Sequence, residues 1–147
     1  MRALLLVGIL TIAAPVRPER NYPRPEEPKP LREQIIGDWL LVKIANGTPR
    51  MEYAPVNNVL RITPSETIFM IDGKASAGDG LTAAYSIDWA TSPISIEFRP
   101  KQRGGTLPGI LKVEGDMLIL GLTSSKDQGP QDFASAHLVA HFTRVRK

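Results

Sequence analysis

The sequence predicts an all-β domain, with about eight short antiparallel strands running up and down into a barrel after a short helical turn. Three observations carry this reading. Apolar and β-branched residues cluster in runs of four to nine positions, and no run keeps helical spacing for a dozen. Turn chemistry separates nearly all of these runs, and most breaks are short enough for antiparallel hairpins. A Greek key needs a long return connection, so the short links favour a meander that closes on itself.

From the N-terminus, Arg2 and the apolar run Ala3–Ala14 have the charged start, apolar centre and small-residue end of a secretory signal peptide, assigned to residues 1–14. A cut after Ala13 suits the small-residue rule better than one after Ala14, which Pro15 would follow directly. A bilayer span needs about 20 apolar residues, so this run is too short, and no stable membrane span is expected after cleavage. The expected location is the periplasm, the cell envelope or the extracellular space. Residues 15–30 (PVRPERNYPRPEEPKP) hold six of the thirteen prolines among charges of both signs, which predicts an extended Pro-rich linker.

Residues 31–147 form the domain. Leu31–Ile36 predicts a helical turn ending at Gly37. Strands are predicted at Trp39–Ala45, Val59–Ile62, Thr67–Ile71, Thr82–Trp89, Ile94–Arg99, Gly109–Glu114, Met117–Leu122 and His137–Val145. Between them lie Asn46-Gly47, Pro64-Ser65-Glu66, Asp72-Gly73 to Gly80, Thr91-Ser92-Pro93, Arg103-Gly104-Gly105 and Gly115-Asp116. The clearest alternation is Ile94, Ile96 and Phe98 against Ser95, Glu97 and Arg99, one face for the core and one for water.

Charge and cysteine content exclude several function classes. The formal charge is +3, but from Gln34 onward twelve Lys/Arg face eleven Asp/Glu, so the domain lacks the one-sided charge that grips nucleic acid. With no cysteine, disulfides, thiolate metal sites and thiol nucleophiles are ruled out.

Four stretches resemble the uncharacterised lipocalin-like domains of exported proteins from planctomycete-type bacteria. They are Gly37-Asp38-Trp39; Tyr85-Ser86-Ile87-Asp88 followed by Ser92-Pro93-Ile94-Ser95-Ile96; Gly109-Ile110 through the Gly115-Asp116 turn to Leu118; and Pro130-Gln131-Asp132-Phe133 with Phe142-Thr143-Arg144. The resemblance spans roughly Leu31 to Lys147. It departs at Leu111, where an aromatic is usual, and at Ala140-His141, in a strand usually more aliphatic. It implies a lipocalin-like barrel and carries no established activity. It also implies a structural latch, with Trp39 plugging one barrel end and Arg144, or failing it Arg146, lying across the indole.

Catalytic and metal motifs are missing. His137 and His141 (HLVAH) have the spacing of a zinc-peptidase pair, but Leu138 stands where the general base belongs. On a strand they would lie roughly 13 Å apart, so no metal is expected there. Neither Gly-x-Ser-x-Gly nor Ser-x-x-Lys occurs, and Asp38, Asp88 and Glu97 read as turn or solvated residues. The Asp72–Gly80 stretch lacks the ligand spacing of a calcium loop, and Arg99, Lys101 and Arg103 read as a solvated basic hairpin. No cofactor is expected.

The leading expectation is therefore an exported, non-enzymatic module that holds a small apolar or amphipathic ligand, because a barrel of about eight strands either fills with side chains or encloses one small molecule. Cavity walls are expected from Leu60, Ile62, Tyr85, Ile87, Ile94, Ile96 and Phe98, which a filled barrel would use as core. The alternative is a filled-barrel interaction or structural domain that presents Thr123–Ser135 to an envelope protein.

Overall fold

A computed structural model describes residues 29–46, 52–53, 57–75, 82–123 and 128–146. The expected signal peptide and the linker up to residue 28 lie outside the described residues. One helical turn, α1 (Leu31–Gln34), precedes ten strands: β1 (Gly37–Asn46), β2 (Glu52–Tyr53), β3 (Val59–Ile62), β4 (Glu66–Ile71), β5 (Lys74–Ala75), β6 (Thr82–Asp88), β7 (Ile94–Pro100), β8 (Leu107–Glu114), β9 (Met117–Leu122) and β10 (Leu138–Arg144). The eight longer strands pair antiparallel in chain order, and β10 returns to β1, so the sheet closes into an up-and-down barrel without a free edge. Two-residue strands β2 and β5 extend the pairing of β1 and β4.

Several boundaries differ from the sequence reading, each for a local reason. The helical turn ends at Gln34, because Ile35 and Ile36 pass from it into the barrel floor. β8 starts at Leu107, where pairing of Leu107 with Phe98 and Pro108 with Glu97 brings the chain into the ladder before Gly109. Trp89, His137 and Val145 fall outside their strands. Asp72 and Gly73, both with positive φ, form the tight two-residue link between β4 and β5, as a hairpin turn of that length demands.

Strand alternation would point Trp39, Leu41 and Lys43 the same way. A bulge between Leu41 and Lys43 in the β1–β10 ladder changes this phase. Val42 and Lys43 are both exposed as a result, and Ile44 turns inward beside Leu41. The extra residue keeps an ammonium group out of the interior.

The interior divides into two halves. The half nearer α1 is packed solid by Ile35, Trp39, Ile62, Ile96, Leu111 and Leu118, all nearly inaccessible. Trp39 is fully buried, and its indole N–H donates to the Ile35 carbonyl at 2.8 Å. The Arg144 guanidinium lies 4.2 Å from the Trp39 ring centroid and donates to the carbonyls of Gln34 and Ile36. It thereby ties the N-terminal segment across the barrel end. Arg146 pairs instead with Asp116 at the surface.

On the outer face, residues 128–137 fold back over β8 and β9. Pro130 and Ala136 are buried there, and Ala136 and Phe133 lie over Gly121, where any Cβ would meet Ile110, Phe133 and Ala136 within 3.0–3.2 Å. Ser135 closes this segment into a turn by donating its backbone N–H to the Asp132 carboxylate at 2.6 Å, which holds that carboxyl below the usual range.

Candidate functional site

The barrel half away from Trp39 is hollow, with a cavity of about 300 Å3. All eight barrel strands contribute to its wall. Leu41 and Ile44 come from β1, Leu60 from β3, Thr67 and Phe69 from β4, and Ala83 from β6. Phe98 and Pro100 of β7, Leu107 of β8, and Leu120 and Leu122 of β9 continue the ring, which Leu138, Ala140 and Phe142 of β10 complete. Thirteen of these fourteen residues are apolar. The volume is at the lower end of the range for small-molecule sites, about 300–1,000 Å3.

Ala83 and Ala140 explain why space remains here. Both are buried and both face the cavity, at positions where a Leu or Phe would fill it. In the packed half, the corresponding inward positions hold Trp39, Ile62, Ile96, Leu111 and Leu118.

Thr67 is the single polar side chain among the described residues of the wall, and it is 4% exposed. Its hydroxyl donates to the Ala83 carbonyl at 3.3 Å. Among the described residues the wall carries neither a cation nor a carboxylate, so these residues offer no partner to an ionised head group.

The expected cavity wall needs correction. Leu60 and Phe98 line the hollow. Ile62 and Ile96 are buried but stand outside the cavity wall. Tyr85 and Ile87 lie at the α1 end, beside Ile35, Ile36 and Trp89 in a separate pocket. Ile94 borders another pocket with Leu31, Pro93 and Phe133. The tilt of barrel strands is the cause: a residue's height depends on the stagger of its strand, so inward-facing residues of β6 and β7 reach past the level of Trp39. Burial raises the Tyr85 phenol above its ordinary range, and its hydroxyl donates to the Thr63 carbonyl at 2.7 Å.

Sequence reasoning missed the walls from β1, β4, β8, β9 and β10, and for the last two a signal was there to read. The signal was present as the alternation Leu118, Leu120, Leu122 and Leu138, Ala140, Phe142. That alternation puts His141 on the outer face, half-buried, while His137 is exposed before the strand. The acidic and basic candidates are engaged elsewhere. Asp38 holds Arg61 through a bidentate pair at 2.8 and 3.0 Å. Asp88 accepts from the Ala90 N–H at 3.0 Å within its own turn. Glu97 pairs with Arg99 at 2.9 Å, and Lys101 with Glu66. Within Thr123–Ser135, residues 124–127 lie outside the described residues, and Pro130 and Phe133 turn toward the barrel.

Comparisons with known protein families, with curated proteins and with solved structures give no match to this chain, so its site is read from its own residues.

Proposed function

We propose that this protein is an exported, non-enzymatic binding module, lipocalin-like in kind, that carries one small apolar molecule in the hollow half of its barrel. The observation that carries this reading is the cavity of about 300 Å3 with thirteen apolar residues among fourteen in its wall. A cavity that size is about twice the roughly 150 Å3 that suffices to hold benzene in a dry apolar interior. Leaving it unfilled forfeits dispersion contacts on every wall, a cost that a bound ligand removes. Export is supported by the Arg2 start and the apolar run Ala3–Ala14.

A partner-binding role for Thr123–Ser135 has less support, since Pro130 and Phe133 are already spent on the barrel itself. The test of the binding reading is native mass spectrometry of the full-length protein recovered from an exporting host, followed by solvent extraction and titration with decane. A retained small molecule at one per chain, or saturable uptake of decane, is the expected result. Ala83→Leu with Ala140→Leu should abolish it by filling about half of the hollow. Protein that is empty as purified and takes up no decane would overturn the reading.

A further inference from the structure

We infer that the cavity selects a neutral ligand bearing one hydroxyl group over equally apolar molecules that can only accept hydrogen bonds, and that Thr67 makes the distinction. This rests on the binding reading above and deepens it.

The argument follows from which hydrogen-bonding capacity remains in the wall. A threonine hydroxyl has one proton and two acceptor lone pairs. In this structure the Thr67 hydroxyl donates to the Ala83 carbonyl at 3.3 Å, and Thr67 lines the cavity among apolar residues. Its oxygen therefore still accepts, while its single donor is in use. A ligand hydroxyl in the cavity can donate to that oxygen. Among the described residues of the wall, an ether, ketone or ester oxygen meets no side-chain donor without taking the proton from Ala83, and a carboxylate meets no cation.

Size narrows the class further. Scaling from benzene's six carbons in roughly 150 Å3, the cavity holds about twelve non-hydrogen atoms. The structure thus assigns the site to a compact alcohol or phenol of about that size.

The experiment measures affinities of decanol, methyl decyl ether, decanoate and decane for the full-length wild-type protein, Thr67→Val and Thr67→Ser. Valine keeps the branched shape and removes the hydroxyl, and serine keeps the hydroxyl. The quantity read is the ratio of decanol to ether affinity, which cancels the apolar contribution common to both. Thr67→Val should lower this ratio by about three- to tenfold, the size of one neutral hydrogen bond. Thr67→Ser should retain the wild-type ratio, and decanoate should bind most weakly of the four. A ratio equal in all three proteins, with decane still bound, would overturn this inference and leave the binding reading intact. Failure of decane to bind to wild type would overturn both. A Thr67→Val protein that melts below the assay temperature leaves the wild-type comparison decisive: ether binding at least threefold tighter than decanol refutes the selection.

Discussion

Replacing Ala140 by Leu should make this protein more stable, the reverse of what enlarging a buried residue does in a close-packed core. Ala140 is 6% exposed and faces the hollow from β10, across from Ala83. The change adds three carbons, which at about 25 Å3 each take roughly 75 Å3, a quarter of the available 300 Å3. Burial at about 0.8 kcal/mol per methylene-sized group contributes about 2.4 kcal/mol. Fixing the longer side chain offsets this by about 0.5–1 kcal/mol, leaving a gain of about 1–2 kcal/mol. For a domain of this size that raises Tm by about 3–8 °C. The assay is chemical and thermal denaturation of the ligand-free protein, with Leu111→Ala as the contrast. Leu111 is 2% exposed in the packed half, so its truncation should cost about 2–5 kcal/mol. If Ala140→Leu instead lowers stability by more than about 1 kcal/mol, the space beside Ala140 is already filled, and the division into packed and hollow halves is wrong.

Three further outcomes follow from the same structure. Arg144→Met should destabilise the fold by about 2–3 kcal/mol in urea titration, because it removes the stacking on Trp39 and the bonds to the Gln34 and Ile36 carbonyls together; a cost below about 0.5 kcal/mol would show that the latch contributes nothing. Gly109→Ala should be strongly destabilising, by about 1–3 kcal/mol or more, since a Cβ there would lie 2.7 Å from the Gly121 carbonyl oxygen and 2.8 Å from Leu122; a wild-type melting curve would contradict that packing. The pH dependence has two limbs. The Arg146 and Arg144 guanidiniums hold the Asp116 carboxyl below its ordinary range, so its contribution is present at neutral pH and lost as pH falls through the ordinary and then the lowered value, where the unfolded chain takes up protons first. Tyr85, raised by burial, acts in the opposite sense: the unfolded chain loses this proton first, so stability falls as pH rises above about 10. Denaturation midpoints of Asp116→Asn and Tyr85→Phe across pH check each limb, and an unchanged pH profile in either variant would remove that residue from the account.

Much of the architecture was legible in the sequence because strands and tight turns are local. Alternation in Ile94–Arg99, the Gly115-Asp116 turn and the short links were enough to expect a closed meander of about eight strands. The pairing of Trp39 with Arg144 was an expectation of the resemblance alone, and the structure places the guanidinium 4.2 Å from the ring centroid. The bulge at Val42 was hidden, because it is set by the β1–β10 register and by the cost of turning Lys43 inward.

The candidate site was much less legible. The sequence by itself determined the strands, their turns and, where no bulge intervenes, the alternation of inward and outward residues. Only the tertiary structure decided where along the barrel axis each of those residues lies. A cavity is the volume that side chains from eight strands fail to fill at one level, and that level is set by strand stagger, which no single strand encodes. For that reason Ile62 and Ile96 are buried outside the cavity wall, while Leu60 and Phe98, two positions away on the same strands, line the hollow.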